Sequence, residues 1–155
     1  MPAPLIRGLA TWFGSGLSPW APGTMGSLAA LPFAWGLVWL GGPWLLLGAA
    51  LAVFALGVPV SAVYGRRVGR HDAPEIVIDE VAGQWLTLTV VPLDPVAYGL
   101  GFVAFRAADI VKPWPIGWID RRVGGGFGVM ADDMVAGALA AAALSLVFLL
   151  WSPPL

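Results

Sequence analysis

Five carboxylates in three separate segments are the residues of this 155-residue chain best suited to chemistry: Asp79-Glu80, Asp109 and Asp132-Asp133. Taken singly, Asp79 or Asp132 is explained by the preference of carboxylates for helix N-termini. Taken together, the five would repel one another by about 4 kcal/mol per contact at roughly 4 Å and an effective dielectric near 20. A divalent cation, or nearby Arg and Lys, must offset that charge. The donor set is oxygen-rich, in a chain with no cysteine and one histidine. Such a set favours Mg2+ over zinc, and Mg2+ usually takes one or two carboxylates together with substrate phosphate.

Cations lie close in sequence. Arg106 and Asp109 stand at i, i+3, and Lys112 follows one turn later. The plain reading is an intrahelical salt bridge; the functional one is a phosphate held by the Arg fork and the Lys point charge. The string Pro22-Gly23-Thr24-Met25-Gly26-Ser27 leads into a helix. It is either a simple turn or an anion site at a helix N-terminus, with Thr24 and Ser27 helping. His71-Asp72 is either an acid–base pair or a solvated loop. Small residues follow both acidic pairs, Gly83 four after Asp79 and Ala136-Gly137 four after Asp132-Asp133. They share a helix face with the acids and permit close helix approach.

The elements that must position these groups are apolar. Hydrophobic residues make up 59% of the chain and charged residues 11%, with a mean hydropathy of +0.84. A soluble domain carries about 25% charged residues, so most of this chain belongs in a bilayer, as a single domain. Disordered tails, coiled coils and most soluble enzymes are excluded. The net charge of −1 gives no overall basic field for nucleic acid. The first seven residues, with one charge and two prolines, do not read as a cleaved signal peptide.

Between Arg7 and Arg66 no residue is charged. Length and Gly/Pro punctuation predict helices over about Ser27–Leu40, Trp44–Gly65 (kinked at Pro59), Pro74–Val91, Val96–Val111 and Asp132–Leu150. A short surface helix over Leu5–Phe13 precedes them. The expected fold is an all-α integral membrane bundle of about five apolar helices, some short or interfacial. Threading it through a bilayer places every Lys and Arg on one face, which the positive-inside rule names cytoplasmic. The acidic segments gather on that face. The nine tryptophans suit the headgroup belt, and Trp114 and Trp118 also stand beside Lys112.

Three strings combine into a resemblance covering about Gly14 to Gly137. They are Pro22-Gly23-Thr24-Met25-Gly26-Ser27; His71-Asp72 with Ile76-Val77-Ile78-Asp79-Glu80; and Phe105-Arg106-Ala107-Ala108-Asp109-Ile110-Val111-Lys112-Pro113-Trp114-Pro115-Ile116. The last continues into Gly125-Gly126-Phe127-Gly128-Val129-Met130-Ala131-Asp132-Asp133 and Ala136-Gly137. In this order and spacing the chain resembles the phosphatidylglycerophosphatase A family. One departure is the apolar Ile78, where an aromatic often precedes the acidic pair; the acids themselves are intact. The resemblance implies Mg2+-dependent removal of the terminal phosphate from phosphatidylglycerophosphate, giving phosphatidylglycerol at the bacterial inner membrane.

Other phosphatase chemistries lack their residues here: there is no cysteine nucleophile, no Asp-x-Asp-x-Thr string, and no Pro-Ser-Gly-His string. Metal-assisted hydrolysis is the expected chemistry. Asp79, Glu80, Asp132 and Asp133 are expected to hold one or two Mg2+, with Asp109 as a catalytic carboxylate or an additional ligand. Arg106, Lys112, Thr24 and Ser27 are expected to bind the phosphate. His71 or Asp72 is expected to protonate the leaving group or relay the proton. The rival from another class is a small ion- or proton-coupled transporter using the helix-end carboxylates. Its weakness is that the far helix halves read as apolar apart from Gln84, Thr87 and Thr89. A homo-oligomer is compatible with the sequence.

Overall fold

Proline and glycine set the helix limits. The computed structural model describes residues 1–151, and every regular element among them is helical. The α-helices are α1 (Ala3–Ala10), α2 (Pro22–Val68), α3 (Ile78–Leu88), α4 (Pro95–Val111), α5 (Ile116–Arg122) and α6 (Gly125–Trp151). A single 3-10 turn, Ser15–Leu17, lies between α1 and α2. Helix α4 begins as its sequence dictates. Pro95 occupies the first turn, where its missing N–H costs nothing, and Asp94 Oδ1 accepts the Ala97 N–H at 2.9 Å.

The break expected at Gly41-Gly42-Pro43 is a fold-back within α2. Gly42 leaves helical geometry at φ 73°, ψ −173°, a region closed to side-chain-bearing residues at little cost only for glycine. A straight rod would hold Gly23 and Gly57 about 50 Å apart. Instead Gly23 abuts Glu80 and Gly57 abuts Met130, and Glu80 lies in one acidic cluster with Asp133, three residues from Met130. Residues 22–41 and 43–68 are therefore two limbs of a hairpin.

Helix α3 is the centre of the bundle. It packs on α2, α4 and α6, and nine of its eleven residues are buried. Trp85 anchors it, donating its indole N–H to the Ala30 carbonyl at 2.9 Å. Glycine lets α6 cross it closely: a Cβ on Gly137 would stand 2.4 Å from the Gly83 carbonyl oxygen, and one on Gly83 2.5 Å from that of Asp133. Thr87 Oγ1 closes the crossing, lying 3.0 Å from the Gly83 carbonyl and 3.2 Å from that of Gly137. The small residues noted after each acidic pair do serve helix contact.

Three expectations shift. The last helix starts at Gly125 and not at Asp132. The glycines before Asp132 are packing residues: Cβ atoms on Gly126 and Gly128 would fall 2.0 Å and 2.1 Å from the carbonyls of Val58 and Val123. Asp132 and Asp133 thus lie two turns inside α6 and do not cap it. The hairpin's first limb opens at Pro22, so Thr24 and Ser27 are helical residues. Helix α3 is shorter than expected, and α5 was not expected at all.

Helices α2 and α6 are each long and apolar enough to cross a membrane. Only 28% of the most apolar stretch in each is buried within the protein. A core helix of a soluble protein would be mostly covered. The exposed side chains include Leu51, Leu146, Val147 and Leu149, a surface that suits lipid.

Candidate active site

The acids converge because three helices bring them to one end of the bundle. Asp79 and Glu80 occupy the first turn of α3, Asp133 the third turn of α6, and Asp109 the last turn of α4. One carboxylate oxygen from each of Asp79, Glu80 and Asp133 falls within 4.8 Å of the others. Asp79 and Asp133 are buried, at 7% and 3% exposure. Asp79 Oδ1, Glu80 Oε2 and Asp133 Oδ2 are buried with no donor reaching them among the described residues. Orphaned buried carboxylate oxygens are costly. A hard cation placed among them would satisfy all three.

The group opens into a cavity of about 370 Å³. Six carboxylates line it, Asp72, Asp79, Glu80, Asp109, Asp132 and Asp133, against two cations, Arg106 and Lys112. The cations are already engaged. Arg106 pairs with Asp109 through a short contact and lies 3.9 Å from Glu80. Lys112 donates to Asp132 Oδ2 at 3.0 Å and has Asp120 at 3.6 Å and Asp109 at 3.9 Å. Burial works against the Lys112 ammonium. The Asp132 hydrogen bond and charge, with Asp109 and Asp120 behind them, outweigh it and hold the pKa above the usual lysine value.

The backbone is strained where it meets this cavity. Lys112 caps α4 at φ 51° and Ala21 precedes α2 at φ 41°, left-handed conformations that cost a side-chain-bearing residue about 1 kcal/mol or more. The first turn of α2 then closes on the acids. A Cβ on Gly23 would stand 2.4 Å from Glu80 Oε1 and 3.2 Å from an Arg106 guanidinium nitrogen. A side chain there would push the Glu80 carboxylate and the Arg106 guanidinium aside.

The sequence pattern of the phosphatidylglycerophosphatase A family matches residues 8–148, a span that holds every residue of this cavity. The chain belongs to the phosphatidylglycerophosphatase A family. It is 46% identical over 138 residues to the phosphatidylglycerophosphatase A of Escherichia coli K12, covering 88% of this chain and 79% of that one. Identity to the phosphatidylglycerophosphatase A of Haemophilus influenzae is 39%, over 84% and 81% of the two chains. A Bacteroides thetaiotaomicron protein, named as a candidate phosphatidylinositol-3-phosphatase, is 34% identical over 83% and 84%. No solved structure matches the chain.

Within this family member, the residues singled out from sequence separate into two groups. Asp72, Asp79, Glu80, Asp109, Asp132, Asp133, Arg106 and Lys112 all line the one cavity. Asp132 faces Lys112, and its Oδ1 accepts the Asp133 N–H at 2.9 Å, so it sits outside the three-acid cluster. Asp72 lies at the rim. Desolvation, then the charge of Asp120, raises its carboxyl above the ordinary range, while Lys112 and His71 pull it partly back.

Thr24, Ser27 and His71 do not line the cavity. Ser27 is fully buried behind Gly23, and Thr24 is half-buried. His71 turns away, its Nε2 accepting the Gly125 N–H. Asp120 is the contributor that sequence reasoning missed. Its helix, α5, has seven residues, too few for a periodic signal.

Proposed function

We propose that this phosphatase removes the terminal phosphate of phosphatidylglycerophosphate at the acidic cavity, with Asp79, Glu80 and Asp133 holding Mg2+. The observation that carries the reading is a cluster of three carboxylates, each with one buried oxygen that lacks a donor among the described residues, beside an Arg and a Lys in the same cavity. Oxygen-only ligands with both buried acids facing a water-accessible space suit a hard cation. Bound there, Mg2+ supplies Lewis-acid polarisation of phosphoryl oxygens and a more acidic water.

The chain's own residues do the rest. Arg106 presents its guanidinium to two phosphate oxygens, and Asp109 and Glu80 fix its orientation. Lys112 adds a permanent positive charge, anchored by Asp132. The first turn of α2, with no side chain at Gly23, offers the positive end of a helix to the same phosphate. When the phosphorus–oxygen bond to the lipid glycerol breaks, water supplies the new oxygen and the leaving alkoxide needs a proton. Asp72, with its raised pKa, faces the cavity for that task. His71 Nε2 is occupied by the Gly125 N–H, so His71 acts by holding the loop 69–77 against α6.

Threading the helices through a bilayer puts all eight Lys and Arg at or near one face, which supports a multi-pass arrangement with the cavity on the cytoplasmic side of a bacterial inner membrane. The two α2 limbs, α4 and α6 face lipid. At about 16 Å, α3 is too short to cross and is sheltered among them. The transporter reading has little support, because the turns at the far ends of the helices carry one ionisable group, Asp94, whose carboxylate caps α4. The named activity of the Bacteroides relative makes headgroup selectivity a separate measurement. Release of phosphate from phosphatidylglycerophosphate should exceed release from phosphatidylinositol 3-phosphate and phosphatidate.

Two outcomes test the assignment. Chelation with EDTA abolishes phosphate release and added Mg2+ restores it; full turnover in the chelator would remove the metal from the mechanism. Arg106→Lys keeps the charge but loses the two-pronged fork, and kcat/KM falls by about a hundredfold. A rate near wild type would leave Arg106 as an ion partner of Asp109 and nothing more.

A further inference from the structure

A second cavity, of about 290 Å³, lies between the C-terminal end of α2 and the start of α6. It shares no lining residue with the acidic one. Arg66 and Arg70 line it, and no carboxylate does. Neither arginine has an ion-pair partner among the described residues, although the chain's acids outnumber its bases. Two arginines lining one cavity with no carboxylate to offset them repel each other, and a bound anion relieves this. Next in sequence to the lining residues Gly69 and Gly126, the apolar Val68 and Phe127 are 44% and 53% exposed. The cavity thus sits where an apolar belt meets solvent. A free anion has no use for such a belt; a phospholipid does, with its phosphate on the arginines and its chains beside α2 and α6.

We propose that Arg66 and Arg70 form an accessory site for the phosphodiester of an anionic phospholipid, separate from the catalytic cavity. The arginine site attracts anionic lipids and holds the protein against anionic membrane.

The test uses the purified full chain in detergent with a mixture of phosphatidylserine and phosphatidylcholine, read by native mass spectrometry. Phosphatidylserine is neither substrate nor product, so failure of the phosphatase reading would leave this readout untouched. The wild type retains phosphatidylserine selectively. Arg66→Ala with Arg70→Ala reduces that selectivity by about tenfold or more, whereas Arg66→Lys with Arg70→Lys retains most of it, separating charge from folding. Arg121→Ala with Arg122→Ala, an arginine pair that does not line this cavity, leaves it unchanged. Phosphate release by the Arg66/Arg70 variants stays at the wild-type level. Undiminished phosphatidylserine retention in the double alanine variant would overturn the proposal. So would displacement of the lipid by inorganic phosphate at equimolar concentration, which would make this a site for free phosphate.

Discussion

Asp133→Asn is expected to lower phosphate release by about a thousandfold, and Asp79→Asn to do the same. Both side chains are buried, and both point an oxygen without a donor into the three-acid cluster. Asn keeps the shape but supplies one neutral oxygen and an unwanted NH2. The accompanying stability effect has the opposite sign. Without divalent cation, the wild type holds its carboxylates in mutual repulsion, so removing one raises the melting temperature. In Mg2+ the order reverses, because ligand binding stabilises only a protein that binds. Thermal unfolding with and without Mg2+ therefore checks the assignment independently of any assay. Turnover near wild type in both variants, with Mg2+ still stabilising each, would remove the cluster from the metal site.

The second large effect comes from residues with no side chain at all. Gly83→Ala and Gly137→Ala each place a methyl about where the partner helix has backbone: 2.5 Å from the Asp133 carbonyl oxygen in one case and 2.4 Å from the Gly83 carbonyl oxygen in the other. Backbone cannot swing aside as a flexible side chain can, so α3 and α6 must separate. Overpacking of this kind costs about 1–3 kcal/mol. The greater loss is functional, since Asp79 and Glu80 ride on one helix and Asp133 on the other. A displacement on the order of 1 Å costs about a hundredfold in rate. Both variants should fold, by circular dichroism, with weakened Mg2+ stabilisation. Gly99→Ala, where a Cβ meets nothing within 4 Å, is the control and should behave as wild type.

Much of this arrangement was legible in the residues themselves. Gly41-Gly42-Pro43 announces the fold-back because glycine alone readily adopts the φ of 73° and ψ of −173° that Gly42 takes. Asp94-Pro95 announces the start of α4 through a cap and a ring. The pairing of acids with small residues one turn on announces the α3–α6 crossing. Other features were hidden for physical reasons. Gly125-Gly126-Phe127-Gly128 reads locally as a loop, since glycine weakens a helix by about 1 kcal/mol each; the close packing of Gly126 on the Val58 carbonyl is a tertiary contact that local sequence does not disclose. The separate fate of Asp132 depends on Lys112 reaching it from α4 across twenty residues. Ser27 and Thr24 belong to a suggestive string, yet helix phase turns Ser27 inward. His71 was singled out for its chemistry, and its hydrogen bond to Gly125 gives it a structural task that spacing does not disclose.

The brevity of α3 has a consequence for traffic. A central helix about 16 Å long has its acids in the first turn and the buried Leu88 at the other end, and beyond Glu80 it carries no ionisable side chain. In the membrane arrangement proposed above, substrate therefore arrives sideways within a single leaflet, lowering its headgroup into the cavity while its chains stay among neighbouring lipids. The dephosphorylated lipid departs into that same leaflet, and only the freed phosphate enters water. Distributing the product to the opposite monolayer falls to other machinery.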